Sequence, residues 1–74
     1  MIREHDLVAL TRDRPEEGLR AGDVGTVVLV YPGDEGYMVE FVDHRGETVA
    51  LLDLRPEEVR PVTGSAIYHV RERA

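Results

Sequence analysis

The chain contains no cysteine, no lysine and no tryptophan, and three tyrosines and one phenylalanine are its only aromatic residues. Without cysteine, neither a disulfide nor a thiolate metal site can stabilise it, and a cytoplasmic setting is the default expectation. The shortage of aromatic side chains makes a groove for proline-rich peptides a poor fit, because such grooves are lined with aromatic rings.

Long apolar runs are also missing. No stretch approaches the ~18 apolar residues that a membrane span requires, and the first ten residues, MIREHDLVAL, lack the apolar core of a secretory signal. We therefore expect no membrane contact. The 74 residues allow one domain, which we assign to residues 1–62, followed by a C-terminal tail over residues 63–74.

Acidic residues outnumber basic ones by fifteen to nine, giving a net charge of −6. A general nucleic-acid binder is basic, because contacts to phosphates supply most of its non-specific affinity. An acidic chain favours a protein partner instead, including a basic one attracted electrostatically. The alternative is that the acidity serves solubility alone.

The strongest strand signal lies at residues 24–31, VGTVVLVY, where six of eight residues are β-branched or aromatic. Gly22 and Asp23 supply turn chemistry just before it. Gly25 lies inside the strand, where glycine marks a bulge or a close backbone approach. We interpret this stretch as the bent central strand of a very small barrel.

Four more strands and a helical turn follow from alternation and from turn residues. The predicted strands are 5–11, 24–31, 37–42, 47–52 and 59–62, with the helical turn at 53–58 before the last strand. Leu19 is the apolar residue of the polar loop 12–20 and is expected to pack onto the core. The predicted fold class is all-β, a small SH3-like five-stranded antiparallel barrel with a 3₁₀ turn before the last strand. The tail could add a sixth strand or a short helix, and we favour the strand.

The central strand is apolar on both of its faces, which a small barrel does not need. Regular alternation places Val24, Val28 and Val30 on one face. Val27, Leu29 and Tyr31 fall on the other, and residues 49–52 repeat the pattern. We expect the tail or a self-association surface to cover the surplus face. An exposed patch would be a partner site or a liability.

The segments DLVALT, LRAGDVGTVV, YMVEFV and RPV, spread over about residues 4–62, resemble a family of small bacterial proteins known as domain of unknown function 4926. The resemblance implies an SH3-like barrel and no established activity. Some members stand beside toxin-like genes, which suggests an antitoxin or accessory role. The GDVGTV segment also resembles the KOW-type segment of RNA- and ribosome-associated barrels, and the barrels of nitrile hydratase and photosynthetic accessory subunits.

Catalytic and metal-binding chemistry finds little support. His5, His44 and His69 lack a partner at ligand spacing, and the paired acids lie in predicted loops, where solvation and capping explain them. Gly22 and Gly25 lead into a strand, so they form no phosphate loop. We expect no enzyme activity and no cofactor.

The remaining candidates form a possible partner surface on the long loop and the adjacent hairpin. Its members are Arg12, Arg14, Glu16, Glu17, Tyr31, Asp34, Glu35 and Tyr37. The favoured function is a non-catalytic protein-binding module, either an accessory subunit or an antitoxin-like partner of a basic protein. The alternatives are an RNA- or ribosome-associated barrel, with arginines on phosphates and a tyrosine stacked on a base, and a purely structural enzyme subunit. Self-association also remains open.

Overall fold

The computed structural model of the chain describes residues 2–62, apart from the side chain of Asp34. Its five strands form one antiparallel sheet in the order β4-β3-β2-β1-β5. The strands are β1 (Leu7–Leu10), β2 (Val24–Val30), β3 (Tyr37–Val42), β4 (Thr48–Leu54) and β5 (Val59–Pro61). Short 3₁₀ turns occupy Pro15–Glu17, Pro32–Asp34 and Pro56–Glu58. The predicted fold class is confirmed: all-β, five antiparallel strands, and a 3₁₀ turn before the last.

One apolar core lies on the inner side of this sheet. Every strand contributes to it, and Leu54 of β4 and Val59 of β5, from the two edges of the sheet, share it. The sheet is therefore curled around its core. The core residues are Val8, Leu10, Leu19, Val27, Tyr37, Val39, Phe41, Leu54 and Val59.

The loop between β1 and β2 is fastened to this core by Leu19, which is 8% exposed. Arg14 and Leu19 exchange backbone hydrogen bonds of 2.8 and 3.0 Å, which close the loop around the Pro15–Glu17 turn. Gly18 ends that turn with a φ of +73°, a conformation that glycine adopts without strain. The prediction that Leu19 packs onto the core is confirmed.

The bulge of β2 lies at Val28, three residues after Gly25. Val27 pairs with Val39 and Leu29 with Met38, so Val28 is an extra residue without a partner on β3. An extra residue reverses which side chains face inward beyond it. Val30 therefore packs against the core and Leu29 is 39% exposed. The predicted faces of Leu29 and Val30 were wrong for this reason.

Two further boundaries needed correction. Strand β4 continues to Leu54, whereas the sequence suggested that the helical turn begins at residue 53. The turn is limited to Pro56–Glu58, where the Glu58 carboxylate accepts a hydrogen bond from the Arg55 N–H at 2.8 Å. Strand β5 ends at Pro61 and pairs only with β1, as an edge position for proline requires.

The tail interpretation, including a sixth strand, concerns residues 63–74, which lie outside the described residues. Over the part of the chain that the structure describes, no helix is long and apolar enough to cross a membrane.

Candidate functional site

A cluster of exposed apolar side chains lies on the outer side of β2, β3 and β4. Within residues 2–62, six large apolar residues are at least 38% exposed, and all six lie on these three strands. They are Val24 (38%), Val28 (38%), Leu29 (39%), Val42 (53%), Val49 (49%) and Leu51 (56%). Single exposed apolar residues are common, whereas large contiguous apolar patches are rare on the surface of monomeric proteins.

Strand register places two of these residues, Leu29 and Leu51, in rows that cross the three strands. Leu29, Met38 and Asp53 form one row across β2, β3 and β4. Thr26, Glu40 and Leu51 form another row across the same strands. We call the surface made by Val24, Leu29, Met38, Val42, Val49 and Leu51 the outer apolar face.

A second bulge shapes one end of the outer apolar face. Phe41 pairs with Ala50 and Val42 with Thr48, which leaves Val49 as the extra residue of β4. Beside it lies a shallow cavity of about 260 Å³, lined by Leu19, Asp23, Val24, Phe41, Val42 and Val49.

Two carboxylates are held on the same face by hydroxyl groups. The Thr48 hydroxyl donates to Glu40 Oε2 at 2.6 Å, and the Tyr31 hydroxyl donates to Asp53 Oδ1 at 2.6 Å. Both distances are typical of a hydroxyl bonded to a charged carboxylate. The outer apolar face therefore presents fixed negative charge between its apolar side chains.

The hydrogen bond to Asp53 also affects Tyr31. It raises the pKa of the Tyr31 phenol above its ordinary value, with desolvation and the negative charge of Asp53 adding to the effect. The phenol therefore stays protonated, as a donor, to higher pH than that of an ordinary tyrosine. Tyr31 is half-buried and directly follows β2.

The residues of the partner surface predicted from the sequence differ in their exposure. Arg12, Glu16 and Glu35 are exposed. Arg14 and Glu17 are half-buried and form an ion pair with 3.4 Å between Nε and Oε1. Asp34 lies in the Pro32–Asp34 turn, and its side chain is outside the described part.

Tyr37 requires a correction. Its side chain is 7% exposed and belongs to the core, so it cannot form part of a partner surface or stack on a base. The alternation of β3 places Tyr37 on the same side as Val39 and Phe41, both buried. That alternation was visible in the sequence and already indicated an inward position.

The three residues expected to shape turns lie around the start of β2. Gly22 has a φ of +95°, and its N–H donates to the Leu10 carbonyl at 2.8 Å. The Asp23 carboxylate accepts from the Arg20 N–H at 2.9 Å. A Cβ added to Gly25 would lie 2.6 Å from Val39 Cγ1 and 2.8 Å from the Glu40 carbonyl oxygen. The position of Gly25 is thus a close backbone approach, and the bulge lies three residues further on.

No metal-binding cluster occurs among residues 2–62: no three His, Asp or Glu side chains there are grouped to hold an ion. His5 instead shapes the chain before β1. Its φ is +75°, and its N–H donates to the Val27 carbonyl at 2.7 Å.

Comparison with protein families gives one match. The family model described as "Domain of unknown function (DUF4926)" matches residues 4–61. The chain belongs to this family. The matched range contains all five strands and the outer apolar face. Comparisons with curated proteins and with solved structures gave no match.

Val42, Val49 and Leu51 are the principal site residues that sequence reasoning did not select. The signal was present, because apolar residues occupy both parities of β4 and of the end of β3. That signal predicted a surplus face but did not locate it, since two bulges decide which side chains it contains.

Proposed function

We propose that this DUF4926 protein is a non-catalytic protein-binding module, acting as a small accessory subunit or an antitoxin-like partner of a basic protein. It engages that protein through the outer apolar face. The observation that carries the proposal is the exposure of 38–56% for five large apolar residues of this face, Val24, Leu29, Val42, Val49 and Leu51. Burying such side chains contributes roughly 25 cal/mol of favourable free energy per Å² of apolar area, so association with a partner that covers them is favourable.

The charge of the face supports a partner that is both apolar and basic. Glu40 and Asp53 are fixed between apolar side chains, and the whole chain carries a net charge of −6. Arginine side chains of a partner could pair with these carboxylates while its apolar residues cover Leu51 and Val42. Like charges facing one another across an interface are unfavourable, so the same argument disfavours an acidic partner.

The RNA-binding alternative receives less support. Arg14 is engaged with Glu17, Tyr37 is buried, and Asp13, Glu16 and Asp23 interleave with the loop arginines. A stacking platform for bases needs exposed aromatic rings beside a basic groove.

The test compares three double variants in a pull-down from native lysate, with and without RNase. Val42→Ser with Leu51→Ser removes the apolar contact, and Glu40→Gln with Asp53→Asn removes the negative charge. Arg12→Ser with Glu16→Ser is the matched control, because it changes two exposed residues of the β1–β2 loop. We expect one stoichiometric, basic protein that survives RNase and is lost with the first variant.

The electrostatic part has its own expected result. The Glu40→Gln, Asp53→Asn variant should weaken binding at low salt and differ little from wild type at high salt, because ions screen exposed charges. Loss of the partner in the Arg12, Glu16 variant alone would move the binding surface to the loop. Recovery of RNA-dependent ribosomal proteins alone would replace the proposal with the RNA alternative.

A further inference from the structure

The outer apolar face has a candidate occupant within the chain. Residues 63–74, TGSAIYHVRERA, follow the described part directly and contain apolar residues, two arginines and one glutamate. We propose that this C-terminal segment docks on the outer apolar face of its own chain and competes there with any external partner. The contact itself requires no partner, so it stands independently of the function proposed above.

The point from which the segment starts favours this contact. The Val62 N–H donates to the Leu7 carbonyl at 3.1 Å. Leu7 is opposite Thr26, Thr26 is opposite Glu40, and Glu40 is opposite Leu51. The segment thus begins at the level of Leu51, four strands away along the same row. At roughly 4.8 Å per strand this separation is about 19 Å along the sheet.

The segment is long enough to cover that distance. Twelve residues follow Val62, and an extended chain spans about 3.3 Å per residue, or about 40 Å in total. Gly64 and Ser65 are turn-forming residues at its start. Residues 66–74 alone would span about 30 Å when extended, which is enough to cross from β5 to β4.

The chemistry of the segment matches that of the face. Ile67, Tyr68 and Val70 are apolar side chains that could cover Val42, Val49 and Leu51, which are 49–56% exposed within residues 2–62. Arg71 and Arg73 supply the positive charges that Glu40 and Asp53 would attract. The apolar group precedes the basic group, so a single pass across the strands could satisfy both.

The test uses the full chain in isolation and introduces charge into the segment. Ile67→Asp with Val70→Asp should break the contact, whereas Ser65→Asp with Ala66→Asp adds the same charge outside the apolar group. Amide chemical shifts and hydrogen exchange are compared at Val42 and Leu51, with Val39 and Phe41 reporting that the core is intact. We expect shifts and faster exchange at Val42 and Leu51 in the first variant only. Equal spectra for wild type and the first variant at these residues would overturn the proposal.

A spin label separates docking within one chain from docking between copies. Because the chain has no cysteine, Ala74→Cys provides a single attachment site. Broadening of the Val42 and Leu51 resonances that persists on dilution supports docking within the chain. Broadening that disappears on dilution, or that appears when spin-labelled chains are mixed with isotope-labelled chains lacking the spin label, would assign the face to a second copy and overturn the proposal. Neither measurement involves a partner, so failure of the proposed function would leave this result unchanged.

Discussion

The Tyr31 hydroxyl donates a 2.6 Å hydrogen bond to Asp53 Oδ1 across 22 residues of sequence. Asp53 is opposite Met38, and Met38 is opposite Leu29, so the bond connects the end of β2 with β4 over the intervening strand. It closes one end of the outer apolar face and fixes the orientation of a carboxylate there. The position of the Asp53 carboxylate on this face therefore depends on the hydrogen bond from Tyr31.

This bond makes the stability of the protein depend on pH in the alkaline range. The pKa of Tyr31 is raised, first by the hydrogen bond to Asp53, so the folded state holds the phenol proton more tightly than the unfolded state does. The stabilisation is complete below about pH 10, the ordinary pKa of tyrosine, and is lost as pH rises through the raised pKa. Urea unfolding should show the advantage of wild type over Tyr31→Phe decreasing in that range.

Asp53→Ala provides the matching spectroscopic control. Removing the acceptor should return the pKa of Tyr31 toward its ordinary value, which ultraviolet titration of the phenol can follow in the presence of Tyr37 and Tyr68 by comparison with Tyr31→Phe. An unchanged Tyr31 titration in Asp53→Ala would show that the hydrogen bond does not control this proton.

Gly25 should be intolerant of any side chain. In Gly25→Ala the new Cβ would meet Val39 Cγ1, the Glu40 carbonyl oxygen and Phe41 Cδ2 at 2.6, 2.8 and 2.9 Å. One of these atoms is backbone and the others belong to the core, so none moves cheaply. We expect a loss of roughly 2–3 kcal/mol in the free energy of unfolding, at the upper end of typical overpacking costs.

Gly18→Ala is the comparison for Gly25→Ala. An added Cβ at Gly18 has open space, and only the φ of +73° opposes it, which costs about 1 kcal/mol. Urea denaturation of both variants should rank Gly25→Ala as the more damaging. The reverse order would mean that β3 can move away from Gly25 at little cost, and it would contradict the close approach of the two strands.

The turn between β3 and β4 contributes stability that depends on pH in the acid range. The Asp43 carboxylate accepts hydrogen bonds from the Glu47 and Arg45 N–H groups at 3.0 and 2.8 Å. The pKa of Asp43 is lowered, with the Glu47 N–H as the largest cause. Its stabilisation is therefore present above about pH 4, the ordinary pKa of aspartate, and is lost as pH falls through the lowered value.

The measurement for Asp43 is a series of urea titrations from neutral to acid pH. Wild type should be more stable than Asp43→Asn at neutral pH, and the two should converge in acid. Glu4→Gln, at an exposed position before β1, controls for loss of one carboxylate. A constant difference between wild type and Asp43→Asn over the whole range would contradict the proposed coupling.

Particular residues show what the sequence could and could not predict. Alternation in β3 places Tyr37, Val39 and Phe41 on one face, and all three are buried. The same rule failed beyond Val28, because counting by two assumes a regular pleat and a bulge adds one residue. Nothing in the run VVLV distinguishes which valine becomes the extra residue, since that choice depends on the fit of β2 to β3.

The site was harder to predict than the fold for a related reason. Apolar residues at both parities indicated a surplus face, yet its membership depends on the bulges at Val28 and Val49. The hydrogen bonds that hold Asp53 and Glu40 join residues 22 and 8 positions apart, and no local pattern encodes them. Charged and aromatic residues were selected from the sequence, whereas the exposed valines and leucines could be located only once register was known.

Leu19 should contribute as much stability as a residue of the strands, although it lies in a loop. It is 8% exposed, belongs to the core cluster and lines the cavity beside Val49. Leu19→Ala should cost about 2–5 kcal/mol, the range for removing a buried leucine side chain. Glu16→Ala, exposed in the same loop, should stay within about 0.5 kcal/mol of wild type. Urea unfolding measures both. Equal stabilities for the two variants would mean that the Leu19 side chain does not pack on the core of the folded protein.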